Sequence, residues 1–533
     1  MKNLQRTLII GCSALALAGC GADEIVSPGT GGNVTINNPA PPPPPPPPPP
    51  TTALITPAPN CPTIAGGTIQ DLATISGPTG EYRRCRLPTD ITASSTLPNV
   101  AGLVYELNGQ TNVGVDQGFS STNTEVVLEI EPGVIVIADG SDFLNINRGN
   151  QLEAVGTQTS PIIFTSRQNL QGQVNIDSSS QWGGVILSGR APVAQGCARG
   201  GPNGNDCQRA VEGAPNEILY GGSNSADNSG TISYVQIRFS GVALAPDAEL
   251  QSLTTGGVGS GTTINNVMSF NSSDDGAEFF GGTVNVRRFI AVGAEDDSLD
   301  TDNGVKGTFD EVLVVQRSTI ADTVIEQDSS AGASAKNDTP RTNVRINNAT
   351  LISNSTGGDG LIRLRSGASD FGLYNSLLVD LRTNAPADWG CLKVDDNETI
   401  NQAANPAIDE AGPFEFQSVA FDCPTNFFDT SRRAATEAQV DAGAGNDKAY
   451  TNTLQRLTGV TTGAAFINGA NENSYLPIFD VSAVSAFYAN STRGYIGAVP
   501  SEAANWAEGW TCNSAVVTLG LNNTGSCLSM PTS

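Results

Sequence analysis

The chain has 533 residues, a formal net charge of −26 and no histidine. The acidic balance argues against nucleic acid and anionic membrane surfaces as partners. The lack of histidine excludes imidazole metal sites, histidine general bases and Ser–His or Cys–His nucleophile pairs, so any catalysis would depend on carboxylates, Arg, Lys, Tyr or a hard metal ion.

Residues 1–19 have the pattern of a signal peptide. Two cations precede the apolar stretch Leu8–Leu17, which is shorter than the roughly 20 residues of a spanning helix. The following Leu17-Ala18-Gly19-Cys20 resembles the bacterial lipobox. The resemblance implies that Cys20 carries lipid such as palmitate and begins the mature chain, and Gly21 in place of Asp favours the outer membrane. A simple secretory signal with a chance cysteine is the alternative, and the side of the membrane stays open.

Residues 20–60 form a predicted tether. It is polar and Gly-rich at first and then contains an unbroken proline run, Pro41–Pro50. Ten prolines in polyproline II extend by about 31 Å and stay stiff. The tether is therefore expected to lift the folded part away from the lipid.

The cysteines favour an oxidising compartment. Cys12 leaves with the signal peptide and Cys20 carries lipid, so eight of the ten cysteines remain. Proximity along the chain suggests four disulfides, the first of them within a predicted N-terminal cap at residues 61–124. No C-x-x-C spacing supports zinc, and no haem or nucleotide site is recognised. The suggested pairs are Cys61–Cys85, Cys197–Cys207, Cys391–Cys423 and Cys512–Cys527.

Short β-branched runs alternate with Gly, Asn and Asp turns from residue 125 onward. One template recurs: an apolar residue, two polar residues, then apolar residues at plus three and often plus five. Its shortest steps, 22 and 23 residues, fit one turn of a right-handed parallel β-helix, predicted for residues 125–425. The template begins at Ile232, Ile264, Val286, Phe309, Ile346 and Leu373.

A second strand follows each template, and alternation places its first residue inside. In the first strand, outward positions such as Met268, Ile290 and Leu313 are apolar as well. An exposed apolar ridge of this kind would favour aggregation or binding to another surface. The partly helical or irregular region 426–533 is therefore expected to pack along the solenoid and cover it. Helices are predicted at 432–440 and 448–457. The inward residues are Ala277, Leu299, Ile325, Ile362 and Leu392.

The chain resembles a group of largely uncharacterised bacterial lipoproteins with a parallel β-helix domain. The resemblance covers roughly residues 125–510 and implies the fold without an established activity. It lies in Pro161–Ser166, Trp182–Val185, Tyr220–Gly222, Asp274–Gly276, Glu278–Gly282 and Asp296–Asp300.

An acidic ladder is the strongest chemical signal. Its members recur at intervals that stack them about 4.8 Å apart in a parallel solenoid, and close like charges need a cation, a basic neighbour or good solvation. The ladder continues into Arg363, Arg365 and Lys393, the weak candidates for catalysis. The candidate Ca²⁺ ligands are Asp274, Asp275, Glu278, Asp296, Asp297, Asp300, Asp302, Glu326 and Asp328.

Three interpretations of this ladder compete. It is a solvated face with acid–base pairs between rungs, a Ca²⁺ site of oxygen ligands, or a catalytic cleft. Carboxylates beside Arg are similar to the layout of pectate-lyase-type enzymes, whereas polygalacturonase-type motifs include a histidine that is absent here. The sequence favours a non-enzymatic envelope lipoprotein that binds glycan or an outer-membrane protein partner. A Ca²⁺-dependent polysaccharide lyase and a structural spacer or adhesin are the alternatives.

Overall fold

The computed structural model describes residues 54–532 except 195, 202–205, 213, 246–247, 319, 330–337, 356, 366–368 and 383–388. The predicted signal peptide, Cys20 and the proline run therefore lie outside the described residues. Within them, no helix is long and apolar enough to cross a bilayer.

The first strands are short because turn residues interrupt each apolar run. β1 and β2 form an antiparallel hairpin, and parallel pairing begins at once between β2 and β5. These strands are β1 (Gln70–Gly77), β2 (Gly80–Arg86), β3 (Asp90–Ile91), β4 (Ser95–Leu97), β5 (Leu103–Glu106), β6 (Gln110–Val113), β7 (Val127–Ile130), β8 (Ile135–Ala138), β9 (Phe143–Ile146), β10 (Gln151–Val155), β11 (Ile162–Ser166) and β12 (Val185–Ser188).

The later coils repeat one short and one long strand, with two small hairpins inserted early. The hairpins are β13 (Arg209–Ala210) with β14 (Leu219–Tyr220), and β16 (Ala243–Ala245) with β17 (Ala248–Glu249). The remaining strands are β15 (Gly230–Arg238), β18 (Leu253–Val258), β19 (Thr263–Phe270), β20 (Glu278–Gly282), β21 (Asn285–Val292), β22 (Leu299–Asp302), β23 (Thr308–Val315), β24 (Ile325–Gln327), β25 (Thr342–Ser353), β26 (Ile362–Leu364), β27 (Ser369–Asp380), β28 (Leu392–Val394) and β29 (Glu415–Asp422).

These strands build a parallel β-helix, as the sequence predicts. Ten short strands form the front sheet, in the order β28-β26-β24-β22-β20-β18-β12-β9-β6-β3. The long strands belong to a second, 15-stranded sheet. The first half of β15 pairs with β10 and its second half with β11, so the long strands supply two further faces. We call their second halves the back face.

A column of left-handed residues makes the corner between the two halves of each long strand. The corner residue is the second polar residue of the repeated sequence template. Asn tolerates this backbone better than other L-residues, and it occupies three of the seven corners. The corner residues are Tyr234, Asn266, Arg288, Glu311, Asn348, Asn375 and Ser418, all with φ between 48° and 61°.

The chain beyond β29 covers the apolar ridge on the back face. Met268, Ile290 and Leu313 are fully buried there in one cluster with Trp510 and Phe466. The segment runs back along the solenoid, because Tyr475 lies near its distal end and Met530 packs in the cluster around Ile163. This confirms the predicted covering region.

Helices are few and short. α3 (Arg433–Ala442) agrees with the predicted 432–440 and buries Val440 in the main core. The others are α1 (Arg167–Leu170), α2 (Glu398–Asn401) and α4 (Ala470–Asn473), with 3-10 turns at Pro406–Ile408, Val481–Ala483, Ala486–Tyr488 and Glu502–Ala504.

Two sequence predictions need correction. The solenoid does not begin at residue 125, because parallel pairing already joins Arg83 to Leu103 within the supposed cap. Region 448–457 is not helical. Tertiary hydrogen bonds hold it extended: the Asn452 N–H donates to Asp422 and the Thr453 N–H to Glu472.

All four disulfides that proximity suggests are present. They are Cys61–Cys85, Cys197–Cys207, Cys391–Cys423 and Cys512–Cys527.

Candidate functional site

The front sheet carries the predicted ladder on its outer surface. Glu278 pairs with Asp300, Asp300 with Glu326, and Glu326 with Arg363. Arg363 then pairs with Lys393 on the last strand. We call these five residues the central row, in which three consecutive acids are followed by two bases. The inward neighbours alternate with them, and all five predicted inward residues are buried in the core.

Asp302, Asp328 and Arg365 form a parallel row two residues further along the coils. Burial raises the pKa of Asp302 to about 7, and repulsion from Asp328 adds to this shift. Arg365 forms ion pairs with Glu326 and with Asp328, the latter at 3.8 Å. The acids of this row are thus partly balanced by one guanidinium.

Asp275 and Asp297 have a structural task in the turn that precedes each strand. The Asp297 N–H donates to Oδ1 of Asp275 at 2.9 Å, and the Thr323 N–H donates to Oδ1 of Asp297 at 2.7 Å. Each carboxylate therefore satisfies a buried backbone donor of the next coil. One oxygen of each is occupied, and Oδ2 is left for a second role.

The turn position just before them is acidic on four consecutive coils. Asp274 and Asp296 were predicted, whereas Asp322 and Asp359 were missed. The Asp322 N–H donates to the Asp296 carbonyl oxygen, and the Asp359 N–H to Oδ1 of Asp322. The signal was available: Asp322 follows Asp296 by the same interval that separates Glu326 from Asp300.

The acids converge into three groups whose ligand oxygens lie within 4.8 Å of one another. Such sets of carboxylates suit Ca²⁺, which takes six to eight oxygen ligands and needs no histidine. The middle group is the most buried, because Asp275 and Glu278 are 5% and 8% exposed. The groups are Asp274–Asp275–Asp296, Asp275–Glu278–Asp300 and Asp296–Asp297–Asp322.

The middle group is electrostatically unfavourable by itself. Burial, followed by repulsion from neighbouring carboxylates, raises the pKa of Glu278, Asp300 and Asp275 well above their ordinary values. Glu278 and Asp300 are partners on neighbouring strands, so their ionised forms repel each other. Either a proton or a cation must therefore balance this pair.

The basic end of the ladder is already paired. Arg363 contacts Glu326 at 3.4 Å and Asp395 at 2.9 Å, and Lys393 contacts Asp359 at 2.7 Å. Burial lowers the pKa of Arg363, but its carboxylate partners outweigh this and raise it overall. Arg365 behaves in the same way beside Glu326. These guanidiniums are fixed cations.

Insertions close the front sheet on one side of the acids. The Cys197–Cys207 disulfide belongs to one apolar cluster with Tyr220 of β14, which packs on Phe280 of β20 with ring centroids 6.0 Å apart. The neighbouring hairpin places Leu250 over Ile186. The outer surface of the front sheet is thus covered up to β18, and Glu278 on β20 is still buried, whereas Asp300, Arg363 and Lys393 on the later strands are partly exposed.

Residues 92–511 match the family described as a pectate-lyase like beta helix domain. The chain belongs to this family. Its match begins inside the supposed cap, in agreement with the early start of parallel pairing. No curated protein and no solved structure matches the chain.

Proposed function

We propose that the accessible part of the front sheet binds Ca²⁺ and, together with it, an acidic polysaccharide. The observation that carries the proposal is the middle acidic group, Asp275–Glu278–Asp300, whose ligand oxygens lie within 4.8 Å of one another beside a row of bases. The family membership fits a role in glycan binding.

The cation follows from charge balance. Arg363 and Arg365 neutralise Glu326, but no ion pair of the described residues reaches Glu278 or Asp300. Oxygen ligands of full negative charge select a hard divalent ion over a transition metal. Asp275, Glu278 and Asp300 would hold it, with Asp274 and Asp296 beside them.

An acidic polymer suits the rest of the surface. Arg363 and Lys393 lie on successive coils about 4.8 Å apart, and Arg365 follows Arg363 on the same coil. A chain running along the solenoid axis would therefore meet Ca²⁺ and then these cations. Bound Ca²⁺ would also offset part of the local negative charge that otherwise repels a polyanion, and a carboxylate of the polymer could complete its set of oxygen ligands. A neutral glycan would gain nothing from either feature.

Binding is favoured over cleavage. Elimination from a uronate needs a base that can accept a proton, and the raised pKa values of Arg363 and Arg365 keep both protonated. A protonated guanidinium orients a carboxylate well but cannot abstract a proton. The lyase alternative would be restored by the appearance of unsaturated uronate products in ultraviolet absorbance.

The experiment compares polygalacturonate, alginate and neutral dextran immobilised on a sensor surface, with Ca²⁺ or with a chelator. We expect the full chain to bind the two polyanions only with Ca²⁺, and dextran in neither condition. Glu278→Gln should abolish binding, while the exposed Glu212→Gln should not. Binding that survives chelation would contradict the proposal. Capture of an envelope protein instead of a polysaccharide would support the protein-partner alternative. Binding of neither a polysaccharide nor a protein would support the spacer alternative.

We also propose that Cys20 anchors the chain in the outer membrane. Lipidation is proposed from the resemblance of Leu17-Ala18-Gly19-Cys20 to the lipobox, and the outer membrane from Gly21 in place of Asp. Metabolic labelling with alkyne-palmitate should mark the wild-type chain and Cys12→Ser, but not Cys20→Ser. The anchor would be refuted if Cys20→Ser were labelled. It would also be refuted if outer-membrane fractions of the wild type contained no labelled chain.

A further inference from the structure

We infer that a second site, on the back of the solenoid, binds a small amphipathic carboxylate with an apolar body, such as a fatty acid. This site is a cleft of about 450 Å³ between the back face and the covering region. Its volume is within the range of about 300–1,000 Å³ typical of small-molecule sites. It is independent of the proposed function of the front sheet.

The cleft has apolar walls from two separate parts of the chain. Val315 and Val379 are ridge residues of β23 and β27, while Leu454 and Val516 belong to the covering region. The covering region thus does not close over the ridge completely at this place. Leu381 lines the cleft and is 46% exposed, so an apolar surface continues to its mouth.

Arg317 supplies a buried donor at one side. It is 4% exposed, pairs with Glu295, and donates from Nη1 to the Ile176 carbonyl oxygen at 3.1 Å. Among the described residues, its Nε has no hydrogen-bond partner. A buried donor without a partner costs free energy that an acceptor on a ligand would recover.

Arg456 supplies a second cation, exposed at the cleft. Its Nε donates to the Gly463 carbonyl oxygen at 2.6 Å, and the described part of the chain contains no carboxylate in an ion pair with it. Asp177 also lines the cleft, while Glu295 offsets Arg317. An anionic head group would therefore find one buried donor and one guanidinium, which are the partners that a carboxylate prefers.

The ligand class follows from this combination. Apolar walls without a donor would accept any hydrocarbon, and arginines without apolar walls would accept any anion. The two together select a molecule with a hydrocarbon body and one carboxylate. Inorganic anions are disfavoured because they would leave the valine and leucine side chains of the cleft in contact with water.

The test titrates the full chain with cis-parinaric acid, whose fluorescence rises in an apolar site, and with its methyl ester. We expect saturable binding of the acid and affinity for the ester weaker by about tenfold, from the lost charged hydrogen bonds. Arg456→Gln should weaken acid binding by about fivefold to tenfold and leave the ester unchanged. The matched control is Arg433→Gln on the exposed side of α3.

A filling variant checks the location. Ala464→Trp should abolish binding of both probes while its melting temperature stays close to that of the wild type. Equal affinity for acid and ester, equal affinity of Arg456→Gln and Arg433→Gln, or full binding by a folded Ala464→Trp would each overturn the inference.

Discussion

The front sheet and the back face are built by the same stacking of coils, yet the back face carries a buried apolar ridge and the front sheet carries a row of acids. On the back face, Met268, Ile290 and Leu313 stack into an apolar ridge that the C-terminal region buries. On the front sheet, Glu278, Asp300 and Glu326 stack into an acidic row. A parallel solenoid thus amplifies whichever residue type is repeated at one position.

The two rows are stabilised in different ways. Apolar residues are satisfied by more apolar surface, which the chain supplies through Trp510 and Phe466. Stacked carboxylates need a balancing charge, and in the described part of the chain the ion pairs with the central row lie at its basic end, through Arg363 and Arg365. The remaining acids need a proton or, as we propose, a cation from solution.

The largest expected effect on stability comes from disrupting the packing of the covered back face. Trp510 is fully buried, and its indole N–H donates to the Trp506 carbonyl oxygen at 2.8 Å. Trp510→Ala should lower the free energy of unfolding by about 3–5 kcal/mol in denaturant titration. Leu521→Ala, half-exposed in the same region, should cost under about 1 kcal/mol. Similar losses in the two variants would show that the cover is not part of the core.

Removing a charge from the acidic row should act in the opposite direction. Without metal, Asp300→Asn should raise the free energy of unfolding by about 1–2 kcal/mol, since it relieves repulsion from Glu278 and Glu326. The same variant should no longer be stabilised by Ca²⁺ in thermal melts. Destabilisation of the metal-free protein would mean that the row is balanced already.

The acidic row also predicts how stability depends on pH. Burial raises the pKa of Asp302 to about 7 from an ordinary 3.8, and the pKa of Glu278 and Asp300 is raised too. The folded chain therefore holds these protons more tightly than the unfolded chain. This contribution to stability is complete below about pH 4 and is lost as the pH rises through about 7.

Melting temperatures in chelator should accordingly fall between about pH 5 and 8, and Ca²⁺ should flatten the curve. Asp300→Asn should show a shallower fall than the wild type. A metal-free melting temperature that rises over this interval would contradict the assigned pKa directions.

The smallest effect on stability is expected at the basic end. Lys393 pairs with Asp359 and Asp395, which are about one-third exposed, so Lys393→Gln should change the free energy of unfolding by less than about 1 kcal/mol. Its affinity for polygalacturonate should nevertheless fall severalfold. Lys448→Gln, which breaks a comparable surface pair on α3, should leave that affinity unchanged.

The sequence was informative wherever one position repeated at the interval of a coil. This predicted the β-helix, the inward residues, the covered ridge and the register of Glu278, Asp300 and Glu326. Asp322 and Asp359 were missed because the turn positions were compared only between the coils of Asp274 and Asp296, and not over the longer coils that follow. The role of Asp275 and Asp297 as acceptors for backbone N–H groups could not be predicted, because it depends on backbone geometry.

Insertions and irregular segments were predicted least well. Tyr220 of β14 packs on Phe280 of β20, a contact without any local pattern in the sequence. Region 448–457 has a helical pattern, but long-range hydrogen bonds to Asp422 and Glu472 override it. Such contacts are set by tertiary packing, so local propensity does not reveal them.

Calorimetric titration of the full chain with Ca²⁺ tests directly whether the front sheet holds a cation site. We expect saturable binding at neutral pH with release of protons, because burial raises the pKa of Glu278 and Asp300 and Ca²⁺ would displace protons bound there. Asp300→Asn should lose this binding and Glu212→Gln should keep it. The absence of saturable heat, or equal binding by Asp300→Asn and the wild type, would contradict a cation site on the front sheet.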